Sequence, residues 1–158
     1  MPYNGAPANQ AEFENMLGNY AMGLVGELME YTFASGSQDN EAAMKEAGDV
    51  LHYCVGLLNC IGETVDFEKL YELEFDPLKL TQAMGDILEI PKKHIYHRHE
   101  LKKDELSRSI HMAIKGFTET IDKDSISTIL EMNIDKLKTR YPEKFNTADS
   151  LVRVDVNE

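Results

Sequence analysis

Apolar positions along this chain recur every three or four residues, and no run alternates with the two-residue period of a strand. Phe13, Leu17, Tyr20, Ala21, Leu24, Leu28 and Tyr31 mark one face of a first helix, which the polar stretch at residues 34–40 should end as a loop. Asp39 or Asn40 is placed to cap a second helix. Its apolar face is Ala43, Ala47, Val50, Leu51, Cys54, Leu58 and Ile61, and Gly62 closes it. A short helical piece is expected at residues 67–73, and Asp76-Pro77 reads as an N-cap followed by a first-turn proline. A third long helix carries Leu80, Met84, Ile87 and Leu88, and Pro91 is expected to end or kink it. Leu106, Ile110, Ile114, Phe117 and Ile121 outline a fourth helix. Ile126, Ile129, Leu130, Ile134, Leu137 and Tyr141 outline a fifth, stopped before Pro142 and followed by an irregular tail. The pattern predicts an all-α helical bundle, built on an antiparallel helical hairpin.

A weak internal repeat adds to this picture. Gly26-Glu27-Leu28-Met29-Glu30 aligns with Gly85-Asp86-Ile87-Leu88-Glu89 at an offset of 59 residues. The same offset sets Glu46 on Glu105, His52 on His111 and Asp49 on Arg108. Chance likeness between two amphipathic helix pairs explains this as readily as duplication does. On the duplication reading, one domain holds an active hairpin at about residues 8–62 and a degenerate one at about 77–121. A closing helix at about 124–141 and a tail at 142–158 complete it.

Composition narrows the class. The chain has 158 residues, enough for one domain with a real core. Sixteen basic against 28 acidic residues give a net charge of -12, which disfavours a nucleic-acid polymer as partner and suits a protein that gathers cations. No apolar run nears the roughly 20 residues of a membrane-spanning helix, and the first residues show no secretory pattern. Cys54 and Cys60 sit six apart in one apolar segment and read as buried free thiols. The expected setting is cytoplasmic, with no membrane partner.

The candidate chemistry lies in two acidic pairs. Glu27 and Glu30 neighbour one another on the first helix, as Glu46 and Asp49 do on the second. Like charges at that spacing are mildly unfavourable, and both pairs border an apolar stripe where bare charge costs more. At about 1.5 Å rise per residue, an antiparallel hairpin sets both pairs at nearly one height. Helices about 8–10 Å apart let carboxylates from each side close around small cations. An all-oxygen donor set favours Mg²⁺, with Mn²⁺ as an alternative. A single ExxE is usually a solvated acidic face; two at matching heights are less easily explained that way.

The runs Gly23-Leu24-Val25-Gly26-Glu27-Leu28-Met29-Glu30 and Glu46-Ala47-Gly48-Asp49-Val50-Leu51-His52-Tyr53 resemble the MazG-like group of all-α nucleoside triphosphate pyrophosphohydrolases. That superfamily also holds the dimeric dUTPases and phosphoribosyl-ATP pyrophosphohydrolases. Residues 133–142, from Asn133 to Pro142, resemble its closing helix. The resemblance covers roughly residues 19–62 and 129–146. It implies that Glu27, Glu30, Glu46 and Asp49 ligate Mg²⁺ and that a metal-bound water attacks the α-phosphorus of a nucleoside triphosphate. The products would be a nucleoside monophosphate and pyrophosphate. Glu27 or Glu30 would take the water's proton, and the sequence does not choose between them. Lys136 and Arg140 share a helix face and would either hold the β- and γ-phosphates or complement the helix C-terminus. Asn133, one turn earlier, would contact substrate. His52 stands where tryptophan is frequent in the family and is a candidate substrate contact. Met29 stands where a small residue is frequent, which predicts looser helix packing there. A homo-oligomer, dimer or tetramer, is also implied.

Rival readings keep the same residues. A dUTPase-like or nucleotide-alarmone hydrolase would share the chemistry with another base pocket. A non-catalytic helical module binding a nucleotide or protein would carry the acidic pairs as relics. His94, His97 and His99 follow Pro91 among basic residues and lack a second ligand cluster, so zinc is not expected there. Lys92, Lys93, Arg98, Lys102 and Lys103 form a local basic run, in most proteins a solvated face. Such a run can also draw in a triphosphate or meet an acidic neighbouring subunit.

Overall fold

Side-chain caps at Asn9, Asp39, Asp66 and Asp76 open the first four of the described helices. The computed structural model describes residues 7–119 and residue 135, and the fold is an all-α bundle, with no strand among the described residues. Helix α1 (Gln10–Gly36) starts where the Asn9 side chain accepts the Glu12 N–H at 2.9 Å and the Glu12 carboxylate accepts the Ala8 N–H at 2.8 Å. It ends in a Schellman closure: the Asp39 N–H donates to the Ala34 carbonyl at 3.1 Å and the Gln38 N–H to that of Ser35 at 3.2 Å. The loop expected at residues 34–40 is therefore shorter, because α1 runs on to Gly36 and Gln38, at φ 59°, takes the left-handed position usually given to glycine.

Asp39 then caps α2 (Asn40–Cys60), accepting the Ala42 N–H at 3.1 Å. Gly62, at φ 78°, closes α2 as the sequence predicts, with the Glu63 N–H reaching the Leu58 carbonyl at 2.9 Å. Helix α3 (Phe67–Glu72) is capped by Asp66, and α4 (Pro77–His97) by Asp76 with Pro77 in its first turn. Pro91 does not end α4. The helix continues to His97 with Pro91 buried inside it; the proline withholds one backbone donor, and packing offsets that loss. Helix α5 (Lys103–Thr118) completes the described bundle. Ile121, the predicted closing helix at 124–141 and the tail at 142–158 lie outside the described residues, Asp135 excepted.

Two helical hairpins form the architecture, α1 with α2 and α4 with α5, and α5 also packs on α2 and α3. Leu17, Tyr20, Leu24, Val50, Leu57, Leu58, Ile87, Leu106, Ile110 and Phe117 fill the common core. The α5 stripe read from the sequence understates its burial: Ser107, Ser109, His111 and Met112 are buried as well, because neighbours cover more than one of its faces. His111 joins α5 to the connection before α3. Its Nδ1 donates to the Ser107 carbonyl at 2.7 Å, which leaves Nε2 to accept the Asp66 N–H at 2.9 Å. At the other end of the bundle, Arg98 meets Glu14 at 3.0 Å and His94 meets Gln10 at 3.1 Å, tying the end of α4 to the start of α1.

The register of α1 on α2 is set by two reciprocal notches. A Cβ placed on Gly56 would overlap the Tyr20 ring, and one on Gly23 would overlap the Tyr53 ring. The two rings themselves meet edge to face, with centroids 6.1 Å apart. Each helix thus lends its partner a missing side chain, and the tyrosines fill both gaps. Met29, where the sequence leads one to expect looser packing, is 62% exposed and takes no part in these notches.

Gly23→Ala is expected to destabilise the protein by about 1–3 kcal/mol, since the added methyl must displace a packed ring or part the helices. Urea unfolding compared with Gly26→Ala, whose Cβ would meet nothing within 4 Å, checks that the cost comes from the notch and not from the change of residue type.

Candidate metal centre

The notches lie just before the acidic residues, and the same register continues through them. Gly23 faces Tyr53, Glu27 comes to Asp49 and Glu46, and Glu30 comes to Glu46. Every step forward on α1 is matched by an equal step back on α2, as antiparallel helices require. Glu27, Glu46 and Asp49 each bring a carboxylate oxygen within 4.8 Å of the others, and all three residues are half-buried. Two oxygens on opposite sides of Mg²⁺ at about 2.1 Å stand about 4.2 Å apart, so closing by under about 1 Å would complete the set. Glu30 is exposed and lies outside this three-oxygen group, though its carboxyl reaches that of Glu46.

The electrostatics are those of crowded, partly buried carboxyls. Burial, with the neighbouring carboxyls of Glu46, Asp49 and Glu30, pushes Glu27 up to about 8. Glu30 is also raised, chiefly by the charge of Glu46 and then by burial. One oxygen of Glu27, Oε2, is buried with no hydrogen-bond partner. Leaving such an acceptor unmet is costly, and a cation is the partner that would satisfy it while relieving the repulsion. The residues present therefore fit a hard divalent ion.

Of the remaining residues singled out from sequence, His52 is half-buried one turn after Asp49, its ring edge-on to Tyr53 with centroids 5.2 Å apart. Asn133, Lys136 and Arg140 lie outside the described residues. Phe117, near the end of α5, packs on Tyr31 at 5.1 Å between centroids, so the chain leaves the described bundle at the end that carries the acidic cluster. The second hairpin handles its acids differently: Glu89 pairs with Lys92 at 2.7 Å on its own helix, and Arg108 is exposed. Among the described residues, three such ligating groups converge in the first hairpin alone. The two free cysteines are buried, and burial raises both thiols, Cys60 to about 11, so neither presents a thiolate at neutral pH.

Sequence reasoning missed an open groove beside the cluster. Met29, Glu30, Phe33, Ala34, Ala42 and Glu46 line a space of about 400 Å³ between α1 and α2 toward their loop. Its signal was available in the off-stripe apolar pair Met29 and Phe33, four apart on the solvent side of α1.

Protonation of the cluster yields a pH prediction. Folded Glu27 keeps its proton up to about pH 8, whereas the unfolded side chain releases it near 4.5, so the native state binds more protons across that window. Its contribution is fully present below 4.5 and is lost as pH rises through about 8. Relative to Glu27→Gln, the metal-free protein should lose melting temperature between pH 5 and 8. Added Mg²⁺ should raise the melting temperature of the natural chain more at pH 8 than at pH 5.5, because binding must displace that proton. A gap between the two proteins that does not change with pH would remove the protonation assigned to Glu27.

No family model, curated protein or solved structure matches this chain.

Proposed function

We propose that the chain is a Mg²⁺-dependent nucleoside triphosphate pyrophosphohydrolase, releasing a nucleoside monophosphate and pyrophosphate. The observation that carries this reading is the convergence of the half-buried carboxylates of Glu27, Glu46 and Asp49 within 4.8 Å of one another. The resemblance of residues 23–30 and 46–53 to MazG-like enzymes supports it. Glu27, Glu46 and Asp49 would hold Mg²⁺, or Mn²⁺ in its place. When bound, such an ion neutralises triphosphate charge and lowers the pKa of a water.

The chain's own residues account for the rest. With three carboxylates committed as ligands, Glu30 at the exposed rim is the one left to accept the proton of the attacking water. The water oxygen bonds to the α-phosphorus, the α–β anhydride bond breaks, and pyrophosphate departs with the electron pair. Lys136 and Arg140 would receive the β- and γ-phosphates, and Asn133 and His52 would contact the sugar of the substrate. A cytoplasmic setting suits the two free, buried thiols. A homo-oligomer belongs to the same reading, supported by Phe67, Tyr71 and Leu78, each at least 77% exposed.

Pyrophosphate release from a panel of nucleoside triphosphates with Mg²⁺ tests this directly. Glu46→Ala and Asp49→Ala should each lower kcat/KM by about 100-fold or more, and Glu30→Gln should lower kcat with little change in KM. Activity that survives either alanine substitution sinks the metal assignment.

A further inference from the structure

The groove beyond the carboxylates divides its lining by chemistry. Glu30 and Glu46 form the side shared with the acidic cluster, while Met29, Phe33, Ala34 and Ala42 form an uncharged side toward the loop. Phe33 is 79% exposed and Met29 62%, two large apolar side chains on successive turns of one helix with little packed on them. The space of about 400 Å³ falls in the range of small-ligand sites, about 300–1,000 Å³. It is also continuous with the cluster, since Glu46 belongs to both.

We infer that the uncharged half of this groove seats the base of the nucleotide, with the ring stacked on Phe33 and Met29, and that it reads the face of the base and not its edge. This rests on the function proposed above, which places the polyphosphate at Glu27, Glu46 and Asp49. Six residues along α1 separate Glu27 from Phe33, about 9 Å of rise, a gap that a ribose spans between an α-phosphate and a base. Charge sorts the ligand in the same sense. The anionic end of the substrate meets the side where carboxylates hold a cation, and the neutral ring meets the side without charge. A base has a polarisable face that suits an aromatic ring and a thioether.

The lining also determines selectivity. Among the described residues no amide, hydroxyl or histidine borders the groove, and the polar side chains that do are the two carboxylates on the cluster side. Discrimination between bases comes from edge hydrogen bonds, because a site built to make them rejects a ring that leaves them unmet. Stacking alone is tolerant, since every base has a π-face. The groove therefore fits purine and pyrimidine triphosphates with similar affinity.

The chain contains no tryptophan, so Phe33→Trp installs a single fluorescent reporter in the groove. Titration with Mg²⁺ and the α,β-methylene analogues of ATP and CTP, which keep the base but resist cleavage at the α–β bridge, should quench that emission saturably. Inorganic tripolyphosphate with Mg²⁺ should not. In parallel, Phe33→Ala should raise KM about 5- to 100-fold for purine and pyrimidine substrates alike, with kcat changed less than about threefold. Pyrophosphate release without quenching by either analogue overturns the base subsite and leaves the hydrolase reading standing. Quenching by the analogues with no pyrophosphate release keeps the subsite and overturns the hydrolase reading. If Phe33→Ala alters oligomeric state by light scattering while KM stays fixed, the groove belongs to a second copy of the chain and the inference fails. A Phe33→Ala penalty confined to one base overturns the face-reading claim.

Discussion

Two glycines and two tyrosines fix the distance and register between α1 and α2, and the remaining features of the site follow from that. Tyr20 fills the space at Gly56 and Tyr53 the space at Gly23, so neither helix can slide by a turn without driving a ring into backbone or leaving a hole. This packing has to be strong because the next turn of the hairpin opposes it. Glu27, Glu30, Glu46 and Asp49 repel one another, and Glu27 is half-buried. The apolar and aromatic contacts hold the helices together, and the acidic residues are brought together at an energetic cost. Protonation of Glu27 or a bound cation lowers that cost, which makes the cluster a feature of the folded chain before any ion arrives.

The two hairpins bear different surfaces. Both are closed by short connections, and an offset of 59 residues carries α1 and α2 onto residue ranges that overlap α4 and α5. In the second, Glu89 is neutralised by lysines on its own helix. His111 at the place matching His52 is buried and committed to two backbone groups. The first hairpin carries concentrated charge; the second provides much of the core on which that hairpin rests, through Ile87, Leu106, Ile110 and Phe117.

Much of this was legible from residue order. Helical periodicity gave the class and most boundaries, because apolar stripes at three and four residues leave little alternative, and the caps at Asp39, Gly62 and Asp76 are local chemistry. Sequence also brought Glu27, Glu46 and Asp49 to one height, since helix rise is fixed. It failed where a long-range partner decides. Pro91 announces an end or a kink without choosing between them, and burial against the bundle carries α4 through it. Gln38 has no left-handed preference of its own, and the closure of α1 imposes the conformation. The separation of Glu30 from the three-oxygen group depends on which side of α1 faces α2, a matter of a few tens of degrees that stripe counting does not resolve. The Phe33 groove was missed because an exposed apolar residue looks like surface noise until its neighbours on α2 are known.

The Ser37–Asp39 turn has one further consequence. Every carboxylate of the cluster comes from the two helices it joins, within a single uninterrupted stretch from Glu27 to Asp49. The carboxylate set therefore travels as one piece of chain, while the helices that support it belong to another. A backbone break in the exposed residues near Gly62 would leave the carboxylate set whole, and the bond from Asp66 to His111 would keep one side of that break anchored to α5. The fold is thus modular at the seam between its two hairpins, and rearrangement of the chain order at that seam is compatible with an unchanged cluster.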